Sequence, residues 1–237
     1  AAGVGLDIRA LAACGVRPVT VVAGVTAQDG RGLQASAPVE PSLIAAQLDA
    51  LGEADVAAYR VGALLDAASV IVVAEYLQAN ASPVVYDPVL GPSRGGLFAG
   101  SATQAAIATH LVPLATLLTP NLSEAEALSG MARVRDRQAM ERAGHKLVAA
   151  GARAVLVKGG HLDGGALDVY VDGDGSRTYA GSRLAGDVRG TGCLLACAIA
   201  AALAHGATMH DAIERGRAFV RERIAASIAF GEMRTAY

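Results

Sequence analysis

Residues 116–160 read TLLTPNLSEAEALSGMARVRDRQAMERAGHKLVAAGARAVLVKGG. The pattern predicts a short strand over 116–119, helices over Ser123–Leu128 and Asp136–Ala150, and a buried central strand over Ala154–Lys158. Two strands joined through helices predict a parallel pair, because the connection has to cross one face of the sheet. The same alternation continues on both sides, so the sequence predicts an α/β fold with helices covering a mostly parallel central sheet.

The flanking segments extend this pattern. Arg17–Val25 (RPVTVVAGV) is apolar and rich in β-branched residues, which predicts a buried strand. Weaker strand patterns cover Val56–Gly62 and Pro83–Val89, and closing helices are predicted over Thr191–His205 and Met209–Phe230. Ligands of such sheets bind at the carboxyl ends of the strands, so polar residues that follow strands are the candidates for a functional site.

The composition indicates a folded protein that acts on small molecules. The chain has 237 residues, of which 53% are hydrophobic and 18% charged, enough apolar material for a large core. Without linkers or repeats, residues 1–237 are predicted to form a single domain. The net charge of -2 and the lack of a basic run favour a small-molecule partner and no nucleic acid.

The sequence predicts a cytoplasmic protein that does not enter a membrane. Its most apolar helix, Leu194–Leu203, has about half of the ~20 residues that a membrane span needs. Three cysteines, Cys14, Cys193 and Cys197, offer no disulfide framework and fit a reducing compartment. The chain starts at Ala1 instead of methionine, and we expect a preceding segment to be missing.

Gly190-Thr191-Gly192-Cys193 opens an apolar helix. The free N–H groups and the positive end of the dipole at a helix start suit a phosphate group, and glycines let a ligand approach the backbone. The same position predicts a lowered pKa for Cys193. The alternative is an ordinary glycine loop that caps a helix. The sequence lacks the GxxxxGK[ST] pattern of P-loop enzymes.

Asn121 and Glu124 follow a predicted strand and lie three residues apart at a helix start. Their oxygens are the ligand type that Mg²⁺ prefers. The segment by itself favours the alternative, a capping box in which the two residues only stabilise the helix.

Two further strand ends carry charged residues. Lys158 precedes Gly159-Gly160-His161 and is a candidate to contact phosphate, with a solvated strand end as the alternative. We expect His161 to be structural. Asp87 precedes the loop 91–96, a candidate lid, and could bind Mg²⁺ through water, with a plain turn aspartate as the alternative.

Gln28 is a candidate for recognition of a heteroaromatic ring. Its amide offers a donor beside an acceptor, which matches the ring nitrogen and exocyclic amine of an aminopyrimidine. The alternative is a glutamine in a surface turn.

In this order and spacing, TPNLSEAEAL (119–128), KGGH (158–161) and GTGC (190–193) resemble the hydroxymethylpyrimidine/phosphomethylpyrimidine kinase family of thiamine biosynthesis, within the ribokinase-like superfamily. The resemblance runs from Gly3 to about His205. It implies a three-layer α/β/α sandwich and ATP-dependent phosphorylation of 4-amino-5-hydroxymethyl-2-methylpyrimidine and of its monophosphate, with ATP and Mg²⁺ as cofactors. It also implies a homodimer.

The resemblance implies a role for each candidate. The backbone amides of the 190–193 loop would form an anion hole for the transferred phosphoryl group, with Cys193 at the position of the catalytic base. Lys158, Asn121 and Thr191 would contact ATP. Glu124 and Asp87, together with Asn121, would organise Mg²⁺ and phosphate. The pyrimidine would be held by Gln28, Asp7, Val89 and the loop that begins at Gly3.

The chain departs from the family pattern at several places. Arg189 stands where relatives often carry histidine, and residues 60–64 read RVGAL where the family has KIGML. The family has a strand before the position of Gly3, and its following loop is two residues longer than the loop that leads to Asp7. Ala63 stands where the family has methionine, which opens one wall of the pocket. The alternatives are therefore a pyridoxal or pyridoxine kinase on the same fold and a non-catalytic ligand-binding relative. A sugar kinase is disfavoured, because many carry aspartate at the position of Cys193.

Overall fold

The computed structural model describes residues 3–29, 32–52, 54–91, 98–160, 165–182, 188–230 and 233–235. The helices in this part of the chain are α1 (Val4–Ala13), α2 (Pro41–Asp49), α3 (Ala67–Gln78), α4 (Ser101–Ala106), α5 (Leu122–Ser129), α6 (Arg137–Ala149), α7 (Thr191–Ala204) and α8 (Met209–Ala225). A π-helical turn (Ile107–Leu111) and a 3₁₀ turn (Val112–Leu114) follow α4. The strands are β1 (Gly24–Asp29), β2 (Gly32–Pro38), β3 (Tyr59–Val61), β4 (Val84–Tyr86), β5 (Leu117–Leu118), β6 (Ala154–Lys158), β7 (Ala166–Asp172), β8 (Ser176–Gly181), β9 (Val188–Arg189), β10 (Ile228–Phe230) and β11 (Met233–Thr235).

The central sheet has the strand order β3-β4-β5-β6-β7-β8. Strands β3 to β6 pair in parallel, and β7 and β8 extend the sheet as an antiparallel hairpin. Because β3, β4, β5 and β6 run in the same direction, their carboxyl ends lie at one edge of the sheet. This edge therefore brings together residues that are far apart in the sequence.

Helices pack on both faces of this sheet, which confirms the predicted α/β/α architecture. Successive residues of a strand point to opposite faces. In β4, Val84 and Tyr86 join the core cluster that includes residues of α2, α3 and α6, whereas Val85 joins the cluster formed with α7 and α8. Strands β4 to β7 thus supply side chains to two apolar layers, which is why these central strands have continuous apolar sequences.

The prediction of a buried strand over Arg17–Val25 is wrong for most of that segment. Residues 16–23 form no strand, and β1 begins only at Gly24, where it pairs with β2 in a separate antiparallel ribbon. Val19 and Val25 are 56% and 62% exposed. Pro18 lacks a backbone donor, and no described strand lies beside residues 17–23 to complete a ladder.

The predicted final helix is too long. Helix α8 ends at Ala225, and the backbone of Ile228–Phe230 forms β10, which pairs with β11. Strand β11 in turn runs parallel to β9, directly before the 190–193 loop. Three consecutive residues were too few for a periodic strand pattern to show in the sequence.

Candidate active site

The candidate residues lie around one cavity of about 2030 Å³. It opens at the carboxyl edge of the parallel strands and is bounded by α1, the β1–β2 ribbon and the start of α7. Every candidate from the sequence lines it: Gly3, Asp7, Gln28, Asp87, Val89, Asn121, Glu124, Lys158, Gly190, Thr191, Gly192 and Cys193. Because the cavity is large, direct contacts are needed to show which of these residues act together.

The centre of the site is an ion pair between Lys158, at the end of β6, and Asp87, just after β4. Lys158 Nζ donates to Asp87 Oδ1 at 2.6 Å, and Thr119 donates its hydroxyl to the same oxygen at 3.2 Å. Burial would raise the pKa of Asp87, but Lys158 and Arg60 outweigh it and lower the pKa. Burial would lower the pKa of Lys158, but Asp87 and Glu124 raise it. Both groups therefore stay charged at neutral pH.

Arg60 and Thr119 are members of the site that sequence reasoning did not assign. Arg60, on β3, contacts both Asp7 and Asp87. The sequence offered one indication of this role: Arg60 lies inside a short predicted strand, and a buried charge there is costly unless it has a partner of opposite charge. Thr119 carried the weaker signal of a hydroxyl directly after β5, one residue before the Pro120-Asn121 turn.

Asn121 and Glu124 form the capping box that was the alternative to a ligand-binding role. Asn121 accepts from the N–H of Glu124 at 2.9 Å, and Glu124 accepts from the N–H of Asn121 at 2.7 Å. The structure also brings this pair to the site, because Asn121 forms a parallel bridge with Lys158. Glu124 is only 5% exposed, and burial raises its pKa to about 7, although Lys158 opposes that shift. One motif therefore starts a helix and faces the cavity.

The raised pKa of Glu124 predicts a pH-dependent effect of Glu124→Gln in the metal-free protein. Folding binds a proton to this carboxyl between its ordinary pKa of 4.5 and about 7, so its ionisation weakens the fold as the pH rises through that window. We expect the glutamine variant to gain stability over the original protein as the pH rises, by about 3 kcal/mol above pH 7. Urea unfolding from pH 4.5 to 8 measures this difference.

Glu75→Gln, at an exposed position on α3, is the matched control and should give a flat difference. A flat difference for Glu124→Gln as well, or one that falls as the pH rises, would contradict the prediction.

The start of α7 faces the ion pair. Gly190 precedes the helix with φ 85° and ψ 8°, a left-handed conformation that favours glycine. A Cβ atom at Gly192 would lie 3.0 Å from Lys158 Nζ and 3.9 Å from Asp87 Oδ2. The absence of a side chain at position 192 thus lets the helix N-terminus and the lysine reach the same space, where both would attract an anion.

The predicted low pKa of Cys193 is wrong. Burial raises the pKa of this thiol to about 11, and the nearby charge of Arg60 only partly opposes the shift. The desolvation of a thiolate thus outweighs the favourable charges around it. Cys193 is a protonated thiol at neutral pH, and its backbone N–H remains available at the helix start.

The candidates for pyrimidine binding line the cavity on its other sides. Asp7 lies on α1, which starts after Gly3, and Val89 is half-buried just beyond Asp87. Gln28 lies on β1, where its amide nitrogen donates to Thr26 Oγ1 at 2.9 Å. Arg189 joins this ribbon to the 190–193 loop by donating to the carbonyl of Asp29 at 3.0 Å. Gln28 thus lies on a ribbon that Arg189 ties to the residues directly before the start of α7.

Two predictions lie outside the described residues: the structural role of His161 and most of the candidate lid at 91–96. Within the described part, no group of three or more His, Cys, Asp or Glu side chains is arranged to hold a metal ion. Asp87 and Glu124 both accept hydrogen bonds from neighbouring groups. These residues fit Mg²⁺ only in its common mode, with one or two carboxylates, water and substrate phosphates.

Sequence comparison identifies similar proteins over nearly the whole chain. The family model described as phosphomethylpyrimidine kinase matches residues 1–237. A hydroxymethylpyrimidine/phosphomethylpyrimidine kinase of Rhizobium meliloti is 36% identical over 229 residues, which cover 95% of this chain and 86% of that protein.

Solved structures with the same fold include two kinds of kinase. A pyridoxal kinase of Bacillus subtilis in complex with ADP has a TM-score of 0.90 and 28% identity, covering 99% of this chain and 90% of that one. A phosphomethylpyrimidine kinase of Clostridium difficile has a TM-score of 0.82 and 28% identity, covering 94% and 93%. These likenesses confirm the ribokinase-like fold predicted from the sequence.

Proposed function

This chain belongs to the phosphomethylpyrimidine kinase family, and we propose that it transfers the γ-phosphoryl group of ATP to 4-amino-5-hydroxymethyl-2-methylpyrimidine and to its monophosphate. It is a phosphotransferase, because the relatives that it matches are named as kinases. The proposed pathway is thiamine biosynthesis, which also names a bifunctional relative in Geobacter sulfurreducens.

The observation that carries the proposal is the Lys158–Asp87 ion pair opposite the glycine-rich start of α7. Phosphoryl transfer needs positioned positive charge more than covalent chemistry, because negative charge is spread over the oxygens of the moving group. A lysine and several backbone N–H groups that converge on one space supply that charge in advance. We assign Lys158, Asn121 and Thr191 to contacts with ATP.

The backbone amides of residues 190–193 hold the transferred phosphoryl group in this proposal. Asp87 fixes Lys158 by a 2.6 Å contact, so the lysine stays directed towards the phosphates. Gln28, Asp7, Val89 and Gly3 bind and orient the pyrimidine at the other end of the cavity, with its hydroxymethyl group towards the phosphate.

Glu124 and Asp87 are the carboxylates that would hold Mg²⁺, together with water and phosphate oxygens. The ion would neutralise charge on the phosphates of ATP. Glu124 has to lose its proton before its carboxylate can bind the ion. Its pKa of about 7 means that this loss occurs near neutral pH.

Cys193→Ala tests whether the thiol is an essential base. A protonated thiol is a poor proton acceptor, and a loose transition state needs little removal of the hydroxyl proton before transfer. We therefore expect Cys193→Ala to lower kcat by less than about tenfold, against the ~100-fold or more of a lost general base. Steady-state kinetics at saturating ATP provides the measurement, with Cys14→Ala as the control for removal of a thiol. A loss above 100-fold for Cys193→Ala alone would establish a role for the thiol.

The proposed activity is tested by ATP turnover in a coupled assay. The pyrimidine alcohol, its monophosphate and pyridoxine are compared side by side with the same protein preparation. We expect turnover with both pyrimidines, which would correspond to two successive phosphorylations. Failure with all three acceptors would overturn the proposal and favour a non-catalytic ligand-binding protein.

A pyridoxine or pyridoxal kinase is the second candidate. The TM-score of 0.90 with the pyridoxal kinase of Bacillus subtilis favours it, and so does the open pocket wall at Ala63. Turnover with pyridoxine alone would select this candidate. We prefer the pyrimidine because the sequence relatives are named for it.

We further propose a cytoplasmic homodimer whose residues 1–237 form one domain that binds small molecules. The described helices include none that is long and apolar enough to cross a membrane. Light scattering of the purified protein tests the dimer.

A further inference from the structure

Arg60 joins two carboxylates that come from separate elements. Its Nη1 donates to Asp7 Oδ2 on α1 at 2.8 Å, and its Nη2 donates to Asp87 Oδ2 after β4 at 3.3 Å. The three side chains are only 10%, 13% and 1% exposed, respectively. A buried guanidinium in this position fixes the distance between the two carboxylates.

The contacts give an alternating row of charges: Lys158, Asp87, Arg60 and Asp7. Lys158 holds one oxygen of Asp87 and Arg60 holds the other, so the carboxylate cannot rotate without breaking a contact. The row runs from the proposed ATP phosphates to the proposed pyrimidine. It connects residues of β6, the segment after β4, β3 and α1.

The position of Arg60 depends on its neighbour Gly62. A Cβ atom at position 62 would overlap Arg60 Nη1, so a side chain there would displace the guanidinium. Arg60 Nε is buried and has no hydrogen-bond partner among the described residues, so the contacts of the two Nη groups hold the guanidinium in place. The planar fork of arginine can hold two carboxylates at fixed angles, whereas the point charge of lysine cannot.

We propose that Arg60 is a positioning residue that aligns Asp7 with Asp87 and thereby aligns the pyrimidine with the phosphate donor. This role rests on the proposed function, because it assigns Asp7 to the pyrimidine and assigns Asp87 to Mg²⁺ and to the lysine that contacts the phosphates. Arg60 acts through these two carboxylates and takes no part in bond formation.

Kinetics of Arg60→Met and Arg60→Lys test the role. We expect Arg60→Met to lower kcat by about 100-fold and to raise KM for the pyrimidine more than KM for ATP, because misalignment of about 1 Å has effects of that size. Arg60→Lys should lose about tenfold, since it keeps the charge but not the fork. Arg137→Met, at an exposed arginine paired with Glu141, is the control.

Arg60→Lys keeps the test decisive if Arg60→Met fails to fold. Activity of the lysine variant within twofold of the original protein would overturn the proposal, because the positioning role rests on the two-pronged guanidinium. A folded Arg60→Met variant with kcat within threefold of the original protein would overturn the role altogether.

A double-mutant cycle with Asp7→Asn separates positioning from a general structural effect. If Arg60 acts through Asp7, the double variant loses little more kcat/KM for the pyrimidine than the worse single variant. If the loss of kcat/KM in the double variant equals the product of the two single losses, the residues act independently and the proposal is overturned. Inactivity of the original protein with both pyrimidines and with pyridoxine would refute the proposed function and this role together. If the original protein is active and the Arg60 variants have the same kinetics, only the role of Arg60 is refuted.

Discussion

Lys158→Met should lower kcat by about 1000-fold, because it removes a preorganised positive charge from the space where phosphate charge moves. The contact of 2.6 Å with Asp87 adds an effect on stability. Asp87 is only 1% exposed, and among the described residues Arg60 is the cation that would still contact it after the substitution. Loss of one partner from a buried ion pair lowers the free energy of unfolding by about 3 kcal/mol. Urea unfolding and steady-state kinetics, both at a temperature where the variant is folded, measure the two effects separately.

Lys146→Met is the matched control, because Lys146 is the other lysine of the chain and is exposed on α6. Its ammonium group contacts only the carbonyl of Ser129, at 3.4 Å, among the described residues. The control should keep activity and stability. A loss of tenfold or less for Lys158→Met would contradict the assignment of this lysine to the ATP phosphates.

Gly192→Val should lower kcat/KM for ATP by about 100-fold and lower the free energy of unfolding by about 1 to 3 kcal/mol, because the added atoms crowd a buried ion pair. The first added carbon would lie 3.0 Å from Lys158 Nζ, and the two methyl groups would extend into the space between the lysine and the helix start. The lysine cannot withdraw freely, because Asp87 holds it. Gly192→Ala should show a smaller loss in the same direction.

Kinetics with ATP as the varied substrate, together with urea unfolding, test this prediction. Gly173→Val provides the control, since a Cβ atom there meets no atom within 4 Å and the residue lies in the β7–β8 turn. Equal ATP kinetics for the Gly192 variants and the original protein would mean that phosphate binds elsewhere in the cavity.

The sequence was sufficient for the parts of the fold in which local pattern and tertiary setting agree. The segment AVLVK forms β6 at the predicted residues, because four of its side chains are buried between two helical layers. RPVTVVAGV has a similar composition but stays outside the sheet, since strand formation needs a neighbouring strand as well as apolar residues. Composition alone does not reveal whether that neighbour is present.

The candidate site was predictable where a charged residue follows a strand, as at Asp87, Asn121 and Lys158. Arg60 escaped assignment because its partners, Asp7 and Asp87, are 53 and 27 residues away, and no local pattern links them. The pKa of Cys193 was misjudged for a related reason. The helix start is visible in the sequence, but the burial that outweighs it depends on how distant elements pack.

The enclosure of α7 has a consequence for the timing of motion in this protein. Residues 194–202 of this helix are buried without interruption between the sheet, α1 and α8. Amide hydrogens in such a segment exchange with solvent mainly through global unfolding, while exposed ribbons such as β1–β2 open locally and often. The backbone donors at the start of α7 are continuous with this buried segment, so we expect them to move little during turnover. Ligands therefore enter and leave past the β1–β2 ribbon. Local opening of this ribbon can limit the rate of turnover while the start of α7 stays in place.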